Sequence, residues 1–459
     1  MTAITADLLA RYDRPGPRYT SYPTAAEFHA DVGAGAYAEH LARAATRVDE
    51  PLGLYVHLPF CQNRCHYCGC NVVITKQRGV ARDYLTALQG EIRDVAARLG
   101  KRRTVRQMHW GGGTPTYLWP EQIRELGAFL HATFEFEPEA ELAVEVDPRV
   151  TTARHLRALR DVGFNRISLG VQDFTPAVQV AIGRLQGYEE TADLVAEARA
   201  LGFGSINLDL IYGLPHQTAE AFAGTLEQTL VLRPDRVAVY GYAHMPWLKP
   251  HQRKIDDEAL SDARERLELL AAAGRAFTGD GYVAIGMDHF ALPEDELGRA
   301  RNNGTLWRNF MGYTVRHAPD TVAFGMSAIG DVDGAYIQNE HKLNRYRDAV
   351  AAHRLPAARG FLLSADDRIR RHVITALMCN GRLDIPATEA ELGIDFEAYF
   401  EDAREPLEAL EKDGFLTRSA DALAVTEFGA PFVRNVAMVF DAYLAKHETG
   451  EGQRFSRTV

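Results

Sequence analysis

Two hydrophobic patterns alternate along most of the chain. From Leu54 to about Gly330, short runs rich in Val, Ile and Leu alternate with longer stretches whose apolar residues recur at three- and four-residue spacing. The short runs predict buried strands and the longer stretches predict amphipathic helices, so the succession predicts parallel β/α units. The predicted strands lie in LYVHLPF, RQMHWGGG, ELAVEVDP, RISLGVQDF, SINLDLIYGLP and RVAVYGYAH, and the predicted helices cover 81–99, 120–134, 152–161, 190–201 and 218–231. Six consecutive units of this kind predict an α/β fold with a barrel-like sheet.

The pattern changes at both ends of this region. Before about Pro51, the segment GPRYTSYPTAAEF carries prolines, a glycine and hydroxyl residues around Tyr19 and Tyr22, which exclude a regular helix and predict an ordered, extended arm. Beyond Met245, WLKPHQRKIDDE predicts a loop and a helix is expected from about Ser261 to Phe277. GYVAIGMDHFA and TVAFGMSAIG predict strands, with LWRNFMGYT as the loop between them.

The last part of the chain is predicted to be mainly helical. Residues 336–360 are predicted to be helical and linking, and several amphipathic helices follow around short β-like pieces such as LAVT. This composition predicts a small, winged-helix-like domain without a basic recognition helix. We therefore expect three parts, an N-terminal arm (1–50), the β/α region (51–335) and a C-terminal helical domain (336–459).

Composition narrows the class of protein. The 459 residues suffice for two or three domains, and 46% hydrophobic and 25% charged residues are typical of globular proteins. A net charge of −11 argues against nucleic acid as the main partner. No signal-peptide pattern and no apolar run near the ~20 residues of a membrane span is visible. Because the five cysteines form no disulfide framework, we expect a reducing, cytoplasmic location.

Three of those cysteines, Cys61, Cys65 and Cys68, follow the first predicted strand with the spacing C-x3-C-x2-C. Thiolates select zinc, Cu(I) or iron–sulfur clusters, but three of them do not complete a four-thiolate site. A structural zinc site would need a second Cys or His pair, and the sequence has none. Cys70 is poorly placed to share the same metal and Cys379 is far away, so one coordination position is left for another ligand.

The extended motif YVHLPFCQNRCHYCGC resembles the radical S-adenosylmethionine (SAM) enzymes, and among them the oxygen-independent coproporphyrinogen III oxidases. The resemblance implies a partial (β/α)6 barrel in which the three cysteines bind a [4Fe–4S] cluster and SAM chelates the fourth iron. PRYTSYPTA is similar to the N-terminal segment of these oxidases, which implies an arm over the active site. Three structural or incidental cysteines are the alternative.

A glycine run follows the second predicted strand. In HWGGGTPTY, residues Gly111, Gly112, Gly113 and Thr114 lie at a strand end, where missing side chains let the backbone approach a ligand. A tight turn is the alternative. The resemblance implies that this segment binds the methionyl part of SAM.

A carboxylate on the next predicted strand, Glu145, lies in an apolar run where an unpaired charge would be costly to bury. A salt bridge would also explain it, whereas the resemblance implies a contact to the ribose or amine of a cofactor. The resemblance also assigns cofactor contacts to Gln172, Arg184, Asp209, Ala243 and Ile329. The first four are the expected binding residues of a second SAM.

Two tyrosines flank the cysteine motif. Tyr55 precedes Cys61 by six residues, and Tyr67 lies between Cys65 and Cys68. Core packing would explain Tyr55, but the resemblance places it beside the cofactor at the cluster, and Tyr67 is expected to cover the cluster or stack on adenine. Tyr55 and Cys70 are our candidate catalytic residues, with the role of Cys70 left open.

The resemblance implies a substrate with four carboxylates, coproporphyrinogen III. Each carboxylate removed from water costs several kcal/mol if unpaired, so the site must hold cations, and arginine binds a carboxylate bidentately. Arg18 in the arm and Arg308 in LWRNF are our candidates, with a plain surface role as the alternative for each.

The implied reaction is the oxidative decarboxylation of the propionates on rings A and B to vinyl groups by a 5′-deoxyadenosyl radical, giving protoporphyrinogen IX in haem biosynthesis. We expect a monomer that receives electrons from a flavodoxin or ferredoxin, with Lys76, Arg78 and Arg82 as a docking face or simply a solvated helix start. A haem-binding chaperone of the same family, and a zinc- or iron-dependent structural protein, are the competing interpretations.

Overall fold

The computed structural model describes residues 6–448 and 455–458, and a large sheet is its main feature. The strands are β1 (Leu52–Leu58), β2 (Phe60–Cys61), β3 (Val73–Ile74), β4 (Thr104–Gly112), β5 (Glu135–Val146), β6 (Arg166–Gln172), β7 (Ser205–Tyr212), β8 (Arg236–Gly241), β9 (Val283–Ile285), β10 (His289–Ala291), β11 (Trp307–Asn309), β12 (Gly312–Thr314), β13 (Asp320–Phe324), β14 (Ile329–Val332), β15 (Ala335–Asn339), β16 (Ala357–Leu362), β17 (Arg382–Asp384), β18 (Leu416–Arg418) and β19 (Ala422–Val425). Twelve of them form one sheet in the order β16-β15-β14-β13-β1-β4-β5-β6-β7-β8-β10-β9.

Helices cover the sheet and build the C-terminal part. They are α1 (Ala6–Tyr12), α2 (Ala34–Ala44), α3 (Arg78–Leu99), α4 (Pro120–Thr133), α5 (Ala153–Val162), α6 (Pro176–Ala181), α7 (Tyr188–Ala200), α8 (Ala219–Leu232), α9 (Ala263–Gly279), α10 (Glu296–Asn303), α11 (Leu343–Ala351), α12 (Ala365–Asn380), α13 (Ile385–Leu392), α14 (Phe396–Tyr399), α15 (Arg404–Lys412), α16 (Val433–Met438) and α17 (Leu444–Glu448). Within the described ranges, no helix is long and apolar enough to cross a membrane.

The centre of the sheet is parallel. Strands β1 and β4 to β8 lie side by side in chain order, and β13 adds a seventh parallel strand beside β1. All six predicted strands and the five helices between them are present, with helix ends shifted by up to three residues. The sheet is open, because its end strands β9 and β16 do not pair. The predicted α/β partial barrel is therefore confirmed.

The period-2 alternation of the strands separates two environments. On β1, Leu54 and Val56 are fully buried in the main core, whereas Tyr55 faces the inside of the curved sheet with His109 of β4. The outward residues of the other parallel strands pack in the same way against α3, α4, α5, α7 and α8. The interior face is left polar and aromatic, and it is this face that can receive a ligand.

Two predictions for the later part of the chain were wrong. Residues 336–360 are not mainly helical, since β15 and β16 join the large sheet antiparallel with only α11 between them. The predicted boundary at residue 335 therefore falls inside the sheet. LWRNFMGYT is not a loop but the hairpin β11–β12, in which Trp307 pairs with Thr314. Both pieces are short antiparallel strands, whose pattern is too brief to separate from helix or loop by periodicity.

The C-terminal part combines helices α12 to α16 with a three-stranded antiparallel sheet, β17-β19-β18. Its hydrophobic core includes Phe396, Phe415 and Phe432, and it also contains Tyr19 and Tyr22 of the N-terminal arm. The arm is therefore anchored by tyrosines that pack into a core formed by the far end of the chain.

The predicted absence of a regular helix around those tyrosines is confirmed, but the segment bends at residues 20–23 and does not run extended, with Tyr19 at φ +47°. The arm contacts two strands of the large sheet. At one side Arg18 donates to the carbonyl oxygen of Gly241 at the end of β8 (3.1 Å). At the other side Tyr336 of β15 donates to the carbonyl oxygen of Tyr22 (3.1 Å). The arm therefore contacts strands on both sides of the parallel core, β8 and β15.

Candidate active site

The cysteine loop connects the end of β2 to β3. Cys61 pairs with Ile74, which brings the two ends of the loop together. Two segments support the loop from outside: His66 donates its backbone N–H to Ile182 (2.8 Å), and His251 donates to the carbonyl oxygen of Cys68 (2.7 Å). The loop is therefore fixed at its ends and at its middle.

The three motif thiols have different electrostatic surroundings. Burial raises the pKa of Cys61 to about 11, although its sulfur lies 3.5 Å from the Thr114 hydroxyl. The pKa of Cys68 falls to about 6, first because Cys70 hydrogen-bonds to its sulfur and then because Lys249 and Arg64 are near. These contacts favour the thiolate form of Cys68.

Cys65 is buried between two guanidinium groups. Its sulfur lies 3.5 Å from Nη2 of Arg149 and 3.7 Å from Nη1 of Arg184. Both arginines bind Asp147, at 2.6 and 3.1 Å. Two guanidinium groups, held in place by one carboxylate, therefore flank the Cys65 sulfur.

Cys70 is exposed, and its thiol hydrogen-bonds to Cys68. That bond raises the pKa of Cys70 well above its usual value. In the described part of the chain, no three His, Cys, Asp or Glu side chains are gathered as for a single metal ion.

The glycine run ends β4 beside the loop, as its composition predicts. Gly112 has φ +110 and donates its N–H to Glu145 (3.2 Å), while Gly113 donates to Leu58 (2.9 Å). A Cβ at Gly111 would lie 2.9 Å from the Glu145 carboxyl, and one at Gly113 would lie 2.5 Å from the backbone of Pro59. Glycine is needed here for close approach of strands as well as for the backbone conformation.

Glu145 of β5 accepts a hydrogen bond from His109 Nε2 at 3.1 Å. Burial opposes ionisation, but the bonds from His109 and Gly112 hold the pKa of Glu145 below its usual value. The ring of Tyr55 is stacked on His109, and its hydroxyl donates to Nδ1 of His57 (3.0 Å). Tyr55 and Glu145 are therefore brought together on the interior face.

Of the residues predicted for a second cofactor, Arg184 is buried and tied to Asp147 and to the carbonyl oxygen of Gly170 (2.6 Å). Gln172 has φ +70 at the end of β6, next to that carbonyl. Asp209 of β7 accepts from Ser168 (2.9 Å), and burial raises its pKa to about 6.

The remaining cofactor candidates lie farther apart. The carbonyl oxygen of Ala243 accepts from Gln252 (3.1 Å), which also binds the carbonyl of Tyr67 (2.9 Å), so Ala243 lies close to the cysteine loop. Tyr67 packs with Val178 and Ile182 in a small apolar cluster. Ile329 starts β14 and packs in a different cluster, with Phe28 and Tyr336.

Arg18 and Arg308, distant in sequence, are brought together. Arg308 donates to the carbonyl oxygen of Arg18 (2.8 Å), and Arg18 lies 3.4 Å from Asp288. Arg308 is buried and its Nε has no hydrogen-bond partner among the described residues. A buried, partly unsatisfied cation beside a second one suits an anionic ligand.

Sequence reasoning missed several residues of this interior. His57 and His109 lie two positions from Tyr55 and Gly111 on the same strand faces, and Asp147 lies two positions after Glu145, just beyond the end of β5. The period-2 rule would have found them. Asp288 lies outside the strands, between β9 and β10, and the sequence around it carries no pattern that would single it out.

Comparison with known families agrees with this site. The family described as "Radical SAM superfamily" matches residues 55–229, and "HemN C-terminal domain" matches residues 363–432. The first match spans the cysteine loop, the glycine run and the strands that carry Glu145 and Asp209. A [4Fe–4S] cluster and SAM are the cofactors of this superfamily.

The residues present fit both cofactors. Three thiols on one loop, one of them acidified and one between two guanidinium groups, suit the thiolate ligation of an iron–sulfur cluster. For SAM, the glycine run exposes backbone, and Glu145 and Asp209 offer acceptors on the interior face. The buried Oδ1 of Asn207, beside Asp209, lacks a partner in the described structure and suits a polar ligand.

Relatives match over the whole chain. An oxygen-independent coproporphyrinogen III oxidase from Pseudomonas aeruginosa is 44% identical over 99% of this chain and 98% of its own. The enzyme of that name from Salmonella typhimurium is 46% identical over 98% of both chains. The solved structure of coproporphyrinogen III oxidase from Escherichia coli, described as a radical SAM enzyme, has a TM-score of 0.89 and 44% identity over 93% of this chain and 97% of that one. The chain therefore belongs to the oxygen-independent coproporphyrinogen III oxidases of the radical SAM superfamily.

Proposed function

We propose that this chain converts the propionates on rings A and B of coproporphyrinogen III to vinyl groups without oxygen, giving protoporphyrinogen IX in haem biosynthesis. The observation that carries the proposal is the full-length match, in which the cysteine loop and the arm with its Arg18–Arg308 pair occur in one chain. A haem-binding chaperone needs no such interior for a tetracarboxylate.

When bound, the cluster and SAM would supply a 5′-deoxyadenosyl radical able to take a hydrogen atom from the β-carbon of a propionate, and loss of carbon dioxide with transfer of one electron to an acceptor would then leave the vinyl group. The protein's part is binding, orientation and exclusion of side reactions. Cys61, Cys65 and Cys68 would hold the cluster, and the glycine run would bind the methionyl group of SAM. Glu145, fixed by His109, accepts from the amine or ribose of SAM.

Tyr55 is our candidate catalytic residue beside the cofactor, held in position by its bond to His57. Cys70, whose thiol hydrogen-bonds to Cys68, is the second. We infer that Gln172, Arg184, Asp209 and Ala243 bind a second SAM. Ile329 is the weakest member of the cofactor set, because it packs away from the others.

The arginine pair is proposed to bind propionates. In the free protein Asp288 and the Arg18 carbonyl satisfy part of the pair, while Nε of Arg308 is left without a partner in the described chain. A carboxylate there would gain charge-assisted bonds. The arm (1–50) is proposed to cover the site, and we place the start of the C-terminal domain at Ser364, after β16.

An anaerobic assay with dithionite, SAM and coproporphyrinogen III, read by product chromatography, tests the activity. Arg18→Ala and Arg308→Ala should raise KM about tenfold or more, because a buried carboxylate would lose its partner, while substrate-free SAM cleavage is kept. Arg308→Lys controls for folding, since it retains the charge. Arg316→Ala removes an arginine bound to Glu296 at the opposite end of the sheet and should leave KM unchanged. An unaltered KM in both pair variants would contradict the substrate assignment.

The location, the oligomeric state and the electron donor of the enzyme are further parts of the proposal. We propose a cytoplasmic monomer, in keeping with five free cysteines, that accepts electrons from a flavodoxin or ferredoxin. Light scattering of the purified holoenzyme tests the monomer, and replacement of dithionite by either carrier tests the donor.

A further inference from the structure

Exposed large hydrophobic residues are concentrated beside the cysteine loop. Val180 and Leu185 are each 67% exposed, and Trp247 and Leu248 are 46% and 55% exposed. Val180 and Leu185 flank the segment that binds His66, and Trp247 and Leu248 precede His251, which binds Cys68. Isolated exposed apolar residues need no explanation, but two pairs on the two supports of one loop do.

These two supports are packed together. Val178 and Ile182 from the first, and Tyr242 and Ile255 from the second, share one buried apolar cluster with Tyr67 of the loop. The exposed pairs therefore lie on segments that pack against each other and against the cysteine loop. We call this surface, with Arg64, Lys249, Arg253 and Lys254 at its edge, the loop-side patch.

The charge of the patch is opposite to that of the protein. The chain has a net charge of −11, yet residues 61–76, 175–188 and 242–255 contain no Asp or Glu. Arg64, Arg253 and Lys254 are exposed, and Lys249 is partly so. Acidic residues resume at Glu189 after the first support and at Asp256 after the second, and Asp257 is paired with His244 (2.8 Å). A basic, apolar surface on an acidic protein is complementary to an acidic partner.

We propose that the loop-side patch is the docking surface for an acidic one-electron carrier protein. The inference rests on the proposed function, in which each turnover needs an electron at the cluster. The reduced carrier loses one electron, the cluster gains it, and the oxidised carrier leaves. The apolar pairs supply buried contact area, and the basic rim supplies orientation and a fast encounter.

The alternative face suggested by the sequence is less suitable. Arg78 is not free for docking, because its guanidinium lies 4.1 Å from the ring of Tyr117 and 4.4 Å from that of Trp119. Lys76 and Arg82 are exposed, without an exposed apolar pair on their own segment. Lys76 and Arg82 therefore serve as the control surface in the binding test.

Binding is the direct test, with reduced flavodoxin as the probe. Anaerobic calorimetry of the holoenzyme should give a Kd that rises at least about tenfold in the double variant Arg253→Glu/Lys254→Glu, with a weaker dependence on salt. Trp247→Ala should weaken binding without changing the salt dependence. Both variants avoid the residues around the thiols, so the absorbance of the cluster should be unchanged.

Controls separate the patch from the catalytic proposal. Lys76→Glu/Arg82→Glu should leave Kd within about twofold, and dithionite-driven product formation should be equal in all variants. The docking proposal is overturned if the Lys76/Arg82 variant loses binding and the Arg253/Lys254 variant does not, or if sedimentation shows that the patch joins two copies of this chain. If the wild type binds flavodoxin through the patch but makes no product with dithionite, the proposed function fails and the patch stands.

Discussion

The two ends of the parallel sheet differ in how they use charge. At the amino ends of the strands, buried charges are paired with one another: Arg102 and Arg47 bind Asp320 at 2.5 and 2.6 Å, and Arg236 binds Asp295 at 2.8 Å. At the carboxyl ends, the thiols lie beside guanidinium groups, the glycine run exposes backbone, and Arg308 keeps an unsatisfied nitrogen. Charge density alone therefore does not locate the site. Unpartnered buried atoms do not locate it either, since Nη2 of Arg236 lacks a hydrogen-bond partner in the described chain just as Nε of Arg308 does. What sets the carboxyl ends apart is the thiols beside guanidinium groups next to a glycine run.

The largest effect is expected from the thiols. Replacing Cys61, Cys65 or Cys68 with Ala should abolish the cluster and all SAM cleavage, because one thiolate ligand is lost. Iron content, absorbance and electron paramagnetic resonance after anaerobic reconstitution measure this. Cys379→Ala is the control, since Cys379 is buried among apolar residues and should leave the cluster intact. A wild-type iron content and spectrum in any of the three motif variants would contradict the assignment of these thiols as cluster ligands.

At the amino ends of the strands, a substitution should change the free energy of unfolding and leave catalysis unchanged. Arg102→Met should lower the free energy of unfolding by about 3–5 kcal/mol, because Asp320 loses its fully buried partner. The KM for coproporphyrinogen III should not change. Denaturant unfolding followed by circular dichroism measures the loss, and Arg124→Met, in an exposed pair with Asp161, should cost about 0–1 kcal/mol. A changed KM in the Arg102 variant would show that the two ends are coupled.

A third test concerns Glu91, a buried carboxylate of α3 whose hydrogen-bond donors, Tyr346, Gly325 and Asn339, are all neutral. Burial raises its pKa from 4.5 to about 7, so the folded state binds the proton more tightly than the unfolded state. Its contribution to stability is therefore greatest below the unfolded pKa and falls as pH rises to about 7, by about 3 kcal/mol in total. Glu91→Gln should remove this dependence, as unfolding at pH 5 and 8 would show. Parallel pH profiles for both proteins would contradict it.

The smallest effect is expected at Asp209. Burial raises its pKa to about 6, so the carboxylate becomes protonated, and a poorer acceptor, below that pH. SAM binding should weaken there in the wild type. Asp209→Asn should bind SAM about 2- to 10-fold more weakly at pH 8 and lack the acidic step. Equilibrium dialysis from pH 5 to 8 measures both, and an acidic step that persists in the variant would assign it to another group.

Local patterns predicted much of this molecule. The glycine run and the strand periodicity each lie within a few residues, so the parallel sheet could be predicted from the sequence. The spacing of the cysteines is equally local, and the thiol ligands stay a prediction from it. The short antiparallel strands β11, β12, β15 and β16 did not, because their stability comes from pairing with partners elsewhere in the chain.

Contacts between distant segments were beyond sequence reasoning. Arg184 and Asp147 meet only after α6 folds back on the sheet, and their pairing with Cys65 depends on three separate segments. The proximity of Arg18 and Arg308 depends likewise on the arm packing with the C-terminal core. Residue type suggested both arginines, but only the fold could show that they lie together.

The open sheet has a consequence for how such enzymes diversify. The arm is attached to Gly241 of β8 and to Tyr336 of β15, on either side of the parallel strands. Changes of length or composition in that peripheral segment can alter which ligands the interior admits, while the parallel strands and the cysteine loop keep their positions. Radical generation and choice of substrate can then evolve as separable traits.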